Sequence, residues 1–199
     1  MHSETAAADA IDLGGSGANP APLSAEPLIT VPLGEQHKTA EFVCAKSPRV
    51  AGFFAKEALV LVPGRYCRIF ILPSPNDPTE IWGYYTLSAG ILLRDNMSRK
   101  DGGNALPYPA PVVRIGFMGR SDRAEPGIGR GLISDAARRV YRNPDIAAWG
   151  LVLESEDGPQ NKKLWEWYQK QGFKPCRQTE NTMYGPLSAF LPELQPVEN

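Results

Sequence analysis

Residues Glu125 to Val140 read "EPGIGRGLISDAARRV", and this stretch decides the fold. Gly127, Gly129 and Gly131 alternate, and then Leu132, Ile133, Ala136, Ala137 and Val140 recur at the spacing of one helix face, with Arg138, Arg139 and Arg142 on the other face and near the C-terminal end. Directly upstream, "VVRIGFMGR" (Val112 to Arg120) has the composition of a strand. The order is therefore strand, glycine-rich turn, helix. Such a turn aims backbone N–H groups and the positive end of a helix dipole at one spot, and glycines keep Cβ atoms out of the way of an approaching anion such as a pyrophosphate. The same glycines also suit a tight connection that merely needs positive φ, and on this stretch alone both readings stand. A P-loop is excluded because no Lys-Ser or Lys-Thr follows the glycines, and the G-x-G-x-x-G dinucleotide spacing is missing.

Working outward, "LITVPL" (Leu28 to Leu33) predicts a strand, and Ser47-Pro48 an N-cap and first helical position opening the helix "PRVAGFFAKEAL". "YCRIFIL" from Tyr66 and "EIWGYYTLSAG" from Glu80 predict consecutive antiparallel strands around the turn formers of "PSPNDP". "SRKDGGNALPYPAP" reads as a loop. Past the opening motif, "AWGLVLE" is a strand and "NKKLWEWYQKQGF" a helix to Gln171 with Gly172 as its C-cap. That helix sets Asn161, Leu164, Trp165 and Tyr168 on one face.

With 199 residues and 42% hydrophobic content, the chain supports one well-filled core. Residues 1–26, rich in Ala, Gly, Ser and Pro, read as a disordered acidic tail, 27–190 as the domain, and 191–199 as a C-terminal tail. Residues 1–37 hold five acidic and no basic residues; the other 17 acidic and all 21 basic residues give the body a net charge of +4. That surplus suits phosphate-bearing partners and is equally ordinary for a solvated surface. Cys44, Cys67 and Cys176 lack metal-ligand spacing, no secretory pattern opens the chain, and no apolar run is long enough to span a membrane, so a cytoplasmic protein without a membrane association or a bound metal is expected.

A glycine turn, a strand, and a helix carrying a tyrosine near its end resemble the GNAT-type N-acetyltransferase superfamily. In that family the turn reads Q/R-x-x-G-x-G/A and the later helix N-x-x-A-x-x-Y/F-Y followed by Gly-Phe. Gly127-Ile128-Gly129 matches the first motif, and Asn161, Trp167, Tyr168, Gly172 and Phe173 match the second. Upstream, "HKTAEFVCAKSPRVAGFFAKEAL", "IWGYYTLSAG" and "LPYPAPVVRIG" are similar to the acetyltransferase toxins of bacterial toxin-antitoxin modules, over about Pro32 to Leu187. The resemblance implies an α/β domain, with a mixed, mostly antiparallel central sheet flanked by helices on both faces. It also implies acetyl-CoA as cosubstrate at the splayed middle of the sheet, held by Met118, Gly119, Arg120, Arg123, Gly127, Ile128, Gly129, Arg130, Gly131 and Asn161. The activity implied is acetylation of the α-amino group of aminoacyl-tRNA, with silencing by a ribbon-helix-helix antitoxin and assembly as a homodimer. A small-molecule or protein N-acetyltransferase, and a GNAT-fold binding module that has lost turnover, are the alternatives. The chain departs from the pattern at Ala124, where the family has Gln or Arg, at Glu125 and Pro126, and in its pI of about 6.2, low for a tRNA binder.

Transfer of an acetyl group to an amine needs a neutral amine, a polarised carbonyl and a proton for the departing thiolate. The only histidines are His2 and His37, and the first lies in the tail, which argues against a histidine base. A phenol stays protonated at neutral pH, so Tyr168 is the candidate general acid, against the alternative of an interior tyrosine with a satisfied hydroxyl. Glu154, Glu156 and Asp157 read as a solvated cluster from which one carboxylate can serve as base. Trp82, Tyr84 and Tyr85 read as core before acceptor groove, and the cysteines as buried hydrophobes.

Overall fold

The structure is a computed structural model that describes residues 28–103 and 108–191. The tail 1–26 lies outside the described residues, as does the C-terminal tail except Leu191, which is buried in the core. The elements are β1 (Val31–Pro32), α1 (Pro48–Lys56), α2 (Ala58–Leu61), β2 (Arg68–Pro73), β3 (Ile81–Leu92), β4 (Ala110–Arg120), α3 (Ile128–Tyr141), β5 (Gly150–Glu154), α4 (Lys162–Lys170), β6 (Lys174–Pro175), β7 (Thr182–Pro186) and α5 (Leu187–Phe190). The strands form one sheet in the order β1-β2-β3-β4-β5-β7-β6, in which β4 and β5 are parallel and every other pair antiparallel. This is the mixed, mostly antiparallel sheet expected from the sequence.

Strand alternation sends neighbouring side chains to opposite faces. Ile69, Ile71 and Tyr84 join Phe53, Phe54 and Ala58 of α1 and α2. Phe70, Tyr85 and Leu87 pack with Leu132, Ile133 and Ala136 of α3, Leu164 and Tyr168 of α4, and Phe190 of α5. Helices therefore cover both faces. Tyr84 and Tyr85 are wholly buried and belong to the core rather than to a groove.

The structure adjusts several boundaries. Ser47 does cap α1, its Oγ accepting from Val50 N–H at 3.4 Å, but the helix breaks at Glu57 before resuming as α2. Of Leu28 to Leu33 only Val31 and Pro32 form strand, with Leu33 N–H still donating to Ile69 O at 2.9 Å; Leu28 and Thr30 are held by α3, Arg138 donating to Leu28 O and Arg139 to Thr30 O. The loop "SRKDGGNALPYPAP" contains a π-helical turn, Arg99–Gly103, and its last two residues open β4. Gly127 alone precedes α3, with a left-handed φ of 95°; Gly129 and Gly131 lie inside the first turn of the helix. Beyond Phe173 the hairpin β6–β7 and α5 complete the sheet edge.

One irregularity creates the site. Tyr85 pairs with Met118 but Leu87 with Ile115, so Thr86 faces both Gly116 and Phe117, and Phe117 N–H donates to Thr86 Oγ1 at 2.9 Å. A bulge of this kind bends its strand. The β4–β5 ladder stops at Ile115 and Leu153, and β4 runs on to Arg120 paired only with β3. Among the described residues no helix is long and apolar enough to cross a membrane.

Candidate active site

Where β4 and β5 part, a cleft of about 580 Å³ opens between them. One wall is β4 from Ile115 to Arg120, with Gly129 and Leu132 of α3; the other is the end of β5, Leu153 to Asp157, with Leu164, Trp167 and Tyr168 of α4. Lys46, Ser47 and Arg49, at the start of α1, close one end. The volume is in the range of small-molecule sites, about 300–1,000 Å³.

The residues expected to hold acetyl-CoA divide into two groups. Met118, Gly119, Arg120 and Gly129 line the cleft. Gly127, Ile128, Arg130, Gly131, Arg123 and Asn161 lie outside its lining. Gly127 is exposed at the tip of the turn, with nothing within 4 Å of where a Cβ would stand. Arg123 turns away to Glu80 at 3.4 Å and Glu41 at 4.0 Å. Asn161 is the N-cap of α4, its Oδ1 accepting from Leu164 N–H at 3.3 Å.

Three glycines have packing reasons that local spacing does not reveal. A Cβ on Gly119 would stand 2.5 Å from Val50 Cγ1, one on Gly129 3.1 Å from Trp167 Cζ2, and one on Gly131 2.8 Å from Leu28 Cδ1. Arg120 secures the loop between β4 and α3 by donating to Ser121 O at 3.3 Å and Ala124 O at 2.5 Å. Across that short loop, Gly129 in the first turn of α3 and the end of β4 line the same cleft. Helix N-termini leave their first N–H groups without intrahelical partners. Together with the β4 edge that β5 does not pair, they present the donors that the pyrophosphate and the amide arm of a CoA ester require, and the residues present fit that group. Glu125 is exposed and does not line the cleft.

Tyr168 lies at the bottom, 8% exposed, with its ring against Trp167 and Phe173. Its hydroxyl makes no hydrogen bond among the described residues. Burial, with a smaller contribution from the Glu156 charge, pushes its pKa above the ordinary tyrosine value, so the phenol holds its proton at neutral pH. Among the described residues the Tyr168 hydroxyl has no partner, and it keeps its proton at neutral pH.

The cleft also collects residues from distant parts of the chain. Arg114 takes Glu154 into an exposed ion pair. Glu156 is half-buried, and its Oε2 accepts a 2.7 Å hydrogen bond from the Ser47 hydroxyl. Asp157 is exposed, in a left-handed backbone conformation with φ of 58°. Exposed Lys46 and Arg49 bring positive charge, the latter lying 5.7 Å over the Phe117 ring. Cys44 lines the cleft as well, with burial raising its thiol pKa. Lys46 and Arg49 carry no motif signal of their own, and only the approach of the α1 start to the β5 end marks them. Among the described residues no group of three or more His, Cys, Asp or Glu is placed to hold a metal.

A parallel pair parting at a bulge, with a helix N-terminus facing the gap, is the GNAT fold. No protein-family model and no curated protein matches the sequence. Solved structures do match. The chain is similar to AtaT complexed with acetyl-methionyl-tRNAfMet, with a TM-score of 0.73 and 20% identity over 84% of this chain and 99% of that one. It is also similar to a tyrosine-to-phenylalanine mutant of KacT, with a TM-score of 0.69 and 21% identity over 80% and 93%. A third is AtaTR bound with AcCoA, with a TM-score of 0.66 and 20% identity over 84% and 98%. These likenesses are of fold.

Proposed function

We propose that this protein transfers an acetyl group from acetyl-CoA to a primary amine, that the amine is the α-amino group of an aminoacyl-tRNA, and that the protein acts as the toxin of a toxin-antitoxin pair. The observation that carries the transfer reaction is the protonated Tyr168 hydroxyl, without a hydrogen-bond partner among the described residues, in the cleft where β4 and β5 part. Acetyl-CoA supplies the activated acyl group. Gly129, the first N–H groups of α3, Met118, Gly119 and Arg120 hold it along the β4 edge, and the Tyr168 hydroxyl donates its proton to the departing sulfur.

The acceptor is supported by charge. Lys46 and Arg49 are exposed and line the cleft, and their positive charge suits a phosphodiester chain that carries the amine. AtaT, similar in fold, is solved with acetyl-methionyl-tRNAfMet, and a mutant of it with the C-terminus of the antitoxin AtaR and acetyl-CoA. An antitoxin partner, of ribbon-helix-helix type, and a homodimer belong to the same proposal. The test is incubation with radiolabelled acetyl-CoA and either charged tRNA or a panel of small amines and peptides. Label on charged tRNA alone supports the toxin reading; label on small amines alone redirects it to a small-molecule enzyme; binding of acetyl-CoA without transfer makes the protein a binding module.

A further inference from the structure

On that reading of the cleft, we infer that Glu156 is the anchor for the acceptor's ammonium group, with Oε1 facing the nitrogen and Oε2 held by Ser47. Three carboxylates end β5, and the structure separates them. Glu154 is neutralised by Arg114 at the surface, and Asp157 is exposed. Glu156 is half-buried in the cleft wall and oriented from across the cleft by a hydroxyl 109 positions away in sequence. Its Oε1 makes no hydrogen bond among the described residues. The remaining charge in the lining is Lys46, Arg49, Arg120 and Asp122, mostly positive, so Glu156 is the half-buried place where a cation is attracted rather than repelled.

Two further observations fix the position. Glu156 and Tyr168 line the same cleft, so the carboxylate and the proton donor face one space. Beside it Ser155, 2% exposed, carries the only buried side-chain polar atom among the described residues without a partner, its Oγ. Buried hydroxyls are ordinarily paired, and a ligand N–H at the end of β5 meets that need. An ammonium nitrogen held there cannot attack until it loses a proton. Glu156 takes one proton, frees the lone pair, and passes the proton to solvent through the cleft mouth. The acceptor class follows: a primary ammonium joined to an anionic body, cation at Glu156 and anion at Lys46 and Arg49.

The test uses the full chain with phenylalanine methyl ester as probe and its N-acetyl derivative as uncharged control. Isotope-edited NMR titration without acetyl-CoA gives binding, and initial rates with acetyl-CoA give KM. The wild-type protein binds the ester in preference to the control. Glu156→Gln, which keeps the shape and can still accept from Ser47, weakens ester binding and raises the acceptor KM by roughly tenfold to a hundredfold, the scale of one lost charge-assisted hydrogen bond, while acetyl-CoA affinity stays within about twofold. Ser47→Ala, which removes the tie together with the α1 N-cap contact to Val50, produces a much smaller change in ester binding and KM. Unchanged ester binding and KM in Glu156→Gln, or an equal loss in Ser47→Ala, overturns the inference and leaves Glu156 as a brace between α1 and β5. Wild-type protein that binds the ester through Glu156 but acetylates nothing overturns the transferase reading and leaves the anchor standing. Transfer that is indifferent to Glu156→Gln does the reverse.

Discussion

Gly129 in the first turn of α3 and Trp167 on α4 are packed so closely that a Cβ on the glycine would stand 3.1 Å from the indole Cζ2. Trp167 in turn meets Tyr168 edge-on, with ring centroids 5.0 Å apart. The glycine that lines the cleft is thereby linked to Tyr168 through one indole ring.

The first prediction follows from that contact. Gly129→Ala in an open helix gains about 0.5–1 kcal/mol, but here the indole has to give way. Gly129→Val adds a branched side chain to the same space and to the cleft wall. The domain is expected to stay folded by circular dichroism, with altered Trp fluorescence and no rise in melting temperature at millimolar acetyl-CoA, against a clear rise for the wild type. A full thermal shift in Gly129→Val overturns this placement of the cofactor.

Tyr168→Phe removes only the hydroxyl, and the ring contacts with Trp167 and Phe173 remain. Acetyl-CoA affinity is expected to hold while kcat falls by roughly 10²-fold or more. Native turnover in a variant that binds acetyl-CoA shows that the proton comes from elsewhere.

Alkaline stability gives an independent check on the same residue. Burial raises the pKa of Tyr84, Tyr85 and Tyr168 above the ordinary value of 10.0. Below pH 10 both folded and unfolded chains keep these protons and nothing changes. Above it the unfolded chain ionises first and binds fewer protons, so stability falls as pH rises, by up to about 1.4 kcal/mol per pH unit for each such tyrosine. Urea melts between pH 9 and about 11.5 are expected to show a shallower decline for Tyr168→Phe than for the wild type. Parallel declines place the Tyr168 hydroxyl in water.

Asp135 on α3 accepts from Thr30 Oγ1 at 2.5 Å and from the Tyr85 hydroxyl at 2.6 Å, and lies 3.7 Å from Arg139, which covers the Phe70 ring at 4.0 Å. This buried network ties the chain before β1 and the centre of β3 to the helix that fronts the cleft. Asp135→Ala removes the acceptor of two hydroxyls and the counter-charge of Arg139, leaving only the bonds that Thr30, Tyr85 and Arg139 make among themselves, with an expected loss of about 2–4 kcal/mol in urea unfolding. A loss under about 0.5 kcal/mol, typical of a surface change, shows the network contributes little.

Lys46 and Arg49 separate RNA from small acceptors. Neutralising both with glutamine is expected to weaken binding to charged tRNA uniformly across tRNA species and to lower the slope of log affinity against log salt by about one per residue. Acetyl-CoA binding serves as the control. An unaltered slope removes them from the RNA path.

The sequence by itself determined the elements whose signal is local. The apolar period of α3, the Ser47-Pro48 start of α1, the β3 aromatics and the Gly172 stop after α4, where φ is 105°, are set by neighbours a few positions apart, and they were legible. So was Tyr168, because a motif and a helical face coincide there. The segment from Lys174 to Phe190 carries no such signal, since two-residue β6 and four-residue α5 are too short for any period to show, and they form by pairing with β7 and by packing into the core beside α3 and Phe173. The glycines were legible as residues but not in their reasons: Val50, Trp167 and Leu28 approach Gly119, Gly129 and Gly131 from other elements. Only the tertiary structure decided the site. A bulge opposite Thr86 stops the β4–β5 ladder, and the crossing of α1 over the gap sets Ser47 against Glu156. Strand register and helix docking are sums over many weak long-range contacts, and no short window of sequence contains them.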